Sequence, residues 1–83
     1  MTDTEIFEDL KKILSKQFDL DEEKIEEESY FDCDLNLTDL DIEDLLSSIS
    51  QKYDINIPQE KASSFKKVSD LVNYIFENAD ATS

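Results

Sequence analysis

Residues 34–46 alternate carboxylates with leucine and isoleucine: Asp34-Leu-Asn-Leu-Thr-Asp-Leu-Asp-Ile-Glu-Asp-Leu-Leu46. Acids at that spacing can bind a cation, hold a basic partner, or work as paired proton carriers. The last role needs a substrate cleft and an orienting group, and the sequence suggests neither. With no histidine and one cysteine, no Ser/His/Asp or Cys/His set can form. With no glycine there is no glycine-rich phosphate loop, and no zinc-ligand spacing is present. Cys33 lies between Asp32 and Asp34, and nearby carboxylates raise a thiol's pKa and lower its reactivity. The chain reads as non-enzymatic.

The cation reading can be tested by spacing. Asp32, Asp34, Asn36, Thr38 and Glu43 fall at positions 1, 3, 5, 7 and 12 of an EF-hand calcium loop. Two features oppose it. Leu37 occupies the position that needs glycine for the sharp turn, and Asp39 the one that needs an apolar residue. A chance match in an acidic chain explains the spacing better, so no specific metal site is expected, although weak cation binding by these acids is compatible with the composition.

The elements that would position these residues must come from one small domain, residues 1–83. The net charge is −14, from 22 acids and eight basic residues, all lysine. That balance repels nucleic acid and anionic membranes and favours basic protein surfaces. No apolar run approaches the ~20 residues of a membrane span. Met1-Thr-Asp-Thr-Glu is not expected to act as a signal peptide. A single cysteine fits a reducing compartment, so a cytoplasmic monomer is expected.

Periodicity then predicts the helices. The first covers about residues 5–18, with Ile6, Leu10, Ile13, Leu14 and Phe18 on one stripe and Lys11, Lys12 and Lys16 toward water. Thr2 and Glu5 could form a capping box. A long acidic loop follows, anchored by Leu20, Ile25, Tyr30 and Phe31. The second helix starts at Thr38 or Asp39 and runs to about 52. Thr38 is its N-cap; Leu45, Leu46, Ile49 and Tyr53 are its buried stripe. Residues 54–58 read as extended, and a short third helix over about 59–63 follows Pro58. Phe65 anchors the next turn. The last helix covers about 68–78, with Val68, Leu71, Val72, Ile75 and Phe76 inward, and residues 79–83 should fray. The fold class is all-α, a bundle of three long helices and one short.

That layout resembles the acyl carrier protein family, a four-helix bundle with a long loop between helices one and two. Asp34-Leu-Asn-Leu-Thr-Asp-Leu40 is similar to the family's Asp-Leu-Gly-x-Asp-Ser-Leu. Tyr53-Asp-Ile-Asn-Ile-Pro58 and Phe65-Lys-Lys-Val-Ser-Asp-Leu-Val-Asn-Tyr-Ile75 resemble its later segments. The resemblance implies a module of fatty-acid, lipid or polyketide-type biosynthesis. It places Asp39 where the family's serine carries 4'-phosphopantetheine. It also makes the second helix a docking surface for basic faces of acyl-chain-processing enzymes or a phosphopantetheinyl transferase. Leu37, Asp39, Leu40, Asp41, Glu43 and Asp44 are its docking candidates, and family cores can hold an acyl tail.

The departures bear on function. Asn36 replaces the glycine, and asparagine tolerates the left-handed region. Thr38 replaces an aspartate but keeps the capping chemistry. Lys67 stands where a capping Ser or Thr is common, so the last helix could begin at Ser69. Glu43 and Ser47 stand where carriers often expose apolar docking residues. A carboxylate cannot replace the hydroxyl that attacks coenzyme A, so Asp39 cannot be phosphopantetheinylated. It can mimic the charge of a loaded arm, serve as a plain first-turn acid, or stand in this chain in place of a carrier's serine. Serines 47, 48, 63 and 64 are read as ordinary surface or packing residues.

Overall fold

The computed structural model describes residues 2–79, apart from the side chains of Gln59 and Ala79. It holds three α-helices: α1 (Asp3–Phe18), α2 (Asp39–Tyr53) and α3 (Val68–Ala79). Two 3₁₀ segments, Glu22–Lys24 and Gln59–Ser64, interrupt the connections. The all-α class holds, but the expected short third helix is a 3₁₀ turn. Of residues 79–83, expected to fray, Ala79 closes α3 and 80–83 lie outside the described residues. No helix among them is long and apolar enough to cross a membrane.

Each α-helix begins where a polar side chain can take up its free N–H groups. In α1 the Thr2 hydroxyl accepts from the Glu5 N–H and the Glu5 carboxylate accepts from the Thr2 N–H, both at 3.2 Å. That reciprocal box starts the helix two residues earlier than its apolar stripe suggests. In α3 the lysine before the first turn offers no acceptor, yet the helix begins at Val68 and not at Ser69. The Asp70 carboxylate reaches back and accepts from the Lys66 and Lys67 N–H groups at 3.2 and 3.1 Å. The next two donors go to the long loop: Val68 N–H to the Ser29 carbonyl at 3.0 Å and Ser69 N–H to the Glu27 carbonyl at 2.9 Å. A helix start with no N-cap side chain is thereby satisfied.

Helix ends and turns meet the lack of glycine in a common way. Asp19 after α1, Asn36 before α2 and Asp54 after α2 all have φ between 54° and 57°. Asp and Asn are the non-glycine residues that visit this region at least cost, because their short side chains bond locally.

One continuous core fills the space between the helices. Ile6, Leu10 and Leu14 of α1 meet Leu45, Leu46 and Ile49 of α2 and Val68, Leu71 and Ile75 of α3, all almost fully buried. Ile25 and Phe31 bring the loop into it, as expected. Three expectations need correction. Tyr30 is 41% exposed and lies flat against Lys67, whose ammonium is 5.4 Å from its ring centre. Phe76, on the border of the α3 stripe, is 38% exposed. Lys11 is half-buried, paired with Glu8 at 2.9 Å and lying over the Phe7 ring. Across the α1–α2 seam the Tyr53 hydroxyl donates to the Asp9 carboxylate at 2.9 Å. Burial first, and then this bond, push the Tyr53 pKa well above its ordinary value.

Asp70→Ala should cost about 1 kcal/mol of stability, the usual loss for a removed cap. Amide exchange should quicken at Lys66 and Lys67 and not in α1; unchanged exchange there would refute the assignment of the cap to Asp70. Tyr53 holds its proton more tightly in the folded state. Its stabilising effect is therefore complete below the unfolded value near 10 and is lost as pH rises toward the raised folded value. Tyr53→Phe should lower stability at neutral pH by about 1 kcal/mol. The gap between wild type and variant should narrow above about pH 10; urea unfolding at several pH values reads both effects.

Candidate functional site

The site is built from the chain between Tyr30 and Leu46. Asp34 closes the first turn: its carboxylate accepts from the Tyr30 N–H at 2.7 Å, while the Tyr30 carbonyl accepts from Asp34 and Leu35 at 3.1 Å each. Leu35 and Leu37 then drop into the core, with Asn36 between them in the left-handed conformation. That residue lets two buried leucines flank an outward turn. Thr38 follows as the N-cap of α2. Its hydroxyl accepts from the Asp41 N–H at 3.2 Å, and the Asp41 carboxylate accepts from the Thr38 N–H at 3.0 Å. The capping role expected of Thr38 holds, and Asp41 completes the box, a part not anticipated.

Phe31 ties this segment to the rest of the bundle with both halves of its backbone. Its N–H donates to the Lys66 carbonyl at 3.0 Å, and its carbonyl accepts from the Leu37 N–H at 2.9 Å. The start of α2 and the start of α3 are thus held by one residue. Between them opens a cleft of about 210 Å³. Buried Phe31, Ile42, Ala62 and Phe65 form its floor, and exposed Asp32, Asp39, Ser63 and Lys66 form its rim. Sequence periodicity supplied Phe31 and Phe65 as anchors. It gave no sign that Asp32, Ser63 and Lys66 would meet Asp39 at one opening, because that meeting is made by tertiary contacts alone.

The other candidates separate by exposure. Asp39 and Asp44 are exposed, and Asp41 and Glu43 are half-buried. Leu40 is 75% exposed, the most outward large apolar side chain among the described residues, whereas Leu37 is only 7% exposed and belongs to the core. The outward face of the first turns of α2 therefore consists of Asp39, Leu40 and Asp44, with Asp41 and Glu43 at its edges. Ser47 is exposed on the next turn, and the Ser48 hydroxyl donates to Gln17 at 2.9 Å, a packing role.

The calcium-loop spacing has no matching geometry. The residues before Asp32 form a turn and a bridge to Lys67 instead of a helix. The Asp32 and Asp34 carboxylates bond to the Cys33 and Tyr30 N–H groups. Among the described residues no three acid or thiol groups converge as metal ligands. Cys33 is exposed, and its thiol pKa is raised first by a hydrogen bond with Asp32, then by the charges of Asp32 and Asp34. The thiol is thereby kept in its protonated, less nucleophilic form.

A family model described as the phosphopantetheine attachment site matches residues 8–75, which spans both walls of the cleft. The acyl carrier protein of Wolinella succinogenes is 37% identical over 73 residues, covering 88% of this chain and 96% of that protein. That of Borreliella burgdorferi is 40% identical over 75 residues, 90% of this chain and 94% of that protein. That of Clostridium acetobutylicum is 39% identical over 70 residues, 84% and 91% respectively. The capped start of α2, the left-handed turn before it and these matches along nearly the whole chain lead to one conclusion: the chain belongs to the acyl carrier protein family.

Proposed function

We propose that this chain is a non-enzymatic, acyl-carrier-type module that docks to enzymes of acyl-chain metabolism and cannot take up phosphopantetheine at Asp39. One observation carries the reading: the first turns of α2 present Asp39, Leu40 and Asp44 outward on a scaffold that is otherwise of carrier type. Transfer from coenzyme A needs a hydroxyl oxygen to attack a phosphorus atom. A carboxylate there would give an acyl phosphate, which hydrolyses readily. Asp39 instead supplies one negative charge at the mouth of the cleft, as the phosphodiester of an arm would.

The field around α2 supports docking to a basic surface. The chain carries a net charge of −14. Among the described residues a single ion pair, Lys11–Glu8, consumes any of that charge. Four lysines lie over aromatic rings: Lys11 on Phe7, Lys52 on Tyr53, Lys61 on Tyr74 and Lys67 on Tyr30. The carboxylates of α2 are left to act outward. They would steer a cationic partner and set its orientation, with an association rate that falls as salt rises. Leu40 adds an apolar contact at the centre of the patch, and Leu37 fixes the turn from beneath. The partners are acyl-chain-processing enzymes or a phosphopantetheinyl transferase, met by a cytoplasmic monomer. A second reading, a working carrier whose serine has been replaced by Asp39 in this chain, draws on the intact capping box and turn.

Intact mass after incubation with a promiscuous phosphopantetheinyl transferase, magnesium and coenzyme A tests both readings. The unaltered chain should gain nothing. A gain by Asp39→Ser alone would establish a scaffold still competent for loading; a gain by the unaltered chain would overturn the assignment of position 39. Docking is tested by replacing Asp39, Glu43 and Asp44 with their amides. Binding to a basic carrier-dependent enzyme should weaken about fivefold or more at low salt, on the order of a few tenths to one kcal/mol per charge. A shallower salt dependence should accompany it. Unchanged affinity would exclude α2 as the docking face.

A further inference from the structure

One cation, Lys66, stands on the rim of the cleft beside Asp39. Two of its rim neighbours are engaged locally. The Asp32 carboxylate spends one oxygen on the Cys33 N–H at 2.7 Å, and the Ser63 hydroxyl donates to the Glu60 carbonyl at 3.4 Å. Asp39 and Lys66 have no such work. Thr38 and Asp41 complete the α2 cap without Asp39. The Lys66 ammonium belongs to no ion pair among the described residues. It rests on no ring there either, unlike those of Lys11, Lys52, Lys61 and Lys67. Both residues are nonetheless rooted. The Lys66 N–H donates to the Asp70 carboxylate at 3.2 Å, and its carbonyl accepts from the Phe31 N–H at 3.0 Å. Asp39 opens α2, and the bond from the Leu37 N–H to the Phe31 carbonyl fixes that entry at 2.9 Å. The roots stand on facing walls of one opening, and only the two side chains are free to move.

We infer that Lys66 is a strap: its ammonium swings across the mouth to the Asp39 carboxylate and closes the cleft. The strap is open in this structure, where no ion pair joins the two. Closing lays the methylenes of the lysine stem over Phe31, Ile42, Ala62 and Phe65 while its charged end stays in water. The field of a chain at −14 draws the ammonium toward the acid. An exposed pair loses side-chain entropy and is screened, so the closed form is favoured by only about twofold to fivefold. An equilibrium that shallow is easily reversed. A cation brought by a partner takes Asp39, frees Lys66 and opens the mouth. That release rests on the docking role of α2; the strap itself needs no partner. A serine at position 39 would carry no charge and leave the strap nothing to grip.

The test reads exposure of the cleft floor in the full chain at low salt, from relaxation of the Ile42 and Ala62 methyl groups by a neutral gadolinium chelate. Lys66→Gln and Asp39→Asn should each raise it roughly twofold or more. The double variant should go no further than either alone, because both remove one contact. Lys66→Arg should keep the floor protected, Asp32→Asn should change nothing, and added salt should expose it. These positions lie outside the side-chain caps, and unchanged amide shifts away from the mouth show that the variants fold. Indifference to Lys66→Gln would overturn the strap. So would effects that simply add, which would mean two independent charges, or an equal effect of Asp32→Asn, which would mean a lysine shared around the rim. Hexalysine should expose the floor of the unaltered chain and leave Lys66→Gln unchanged. Failure of that arm alone would overturn the coupling to docking and not the strap.

Discussion

The backbone of Phe31 is the constraint on which the rest of the structure depends. Its N–H and its carbonyl bond in opposite directions, one to the start of α3 and one to the start of α2. Its ring is buried beneath the cleft as part of the core. A long loop would ordinarily be the least ordered part of a small helical domain. Here the neighbouring carbonyls of Glu27 and Ser29 take up two N–H groups of α3 that have no partner in their own helix. Loop order and helix initiation are therefore the same set of bonds. The separation of α2 from α3, and so the width of the cleft, follows from it.

Charge and fold are kept apart in this chain. The core is aliphatic with two aromatic anchors, and no buried side-chain polar atom among the described residues lacks a partner. Most carboxylates stay in water, where mutual repulsion is screened by salt. Several do structural work: Glu5, Asp34, Asp41 and Asp70 each accept a backbone N–H near a helix start or turn, and Asp9 accepts from the Tyr53 hydroxyl. An acidic surface is thus compatible with stability because its acids near helix starts meet donors and favourable dipoles. Four of the eight lysines flatten onto rings, which covers aromatic surface, and of these four Lys11 alone is also paired with an acid.

Much of this could be read along the chain. The stripes of α1, α2 and α3 carry a helical period, and Thr2 and Thr38 announce their caps. Asn36 could be placed in the left-handed turn from its chemistry. What escaped reading has physical causes. Asp70 caps backwards across a turn, and no apolar pattern encodes that. Tyr30 and Phe76 lie at the borders of buried stripes, where a small rotation of the element decides between core and solvent. Leu37 and Leu40 look alike in sequence. One precedes the cap and faces the core; the other lies one residue into the helix and faces out. The rim of the cleft joins residues 32, 39, 63 and 66, which the Phe31 bonds and the packing of α2 on the Gln59–Ser64 segment bring together.

Asp39 stands apart from every one of these bonds. Its neighbour Thr38 holds the helix start, Asp41 completes the cap, and Leu37 and Ile42 supply the buried contacts on either side. The side chain at 39 is exposed and holds nothing in place. Selection can therefore alter the chemistry at this point while the architecture around it stays still. A lineage could give up or regain a reactive group at the mouth of the cleft by one replacement, with no compensating change elsewhere in the bundle.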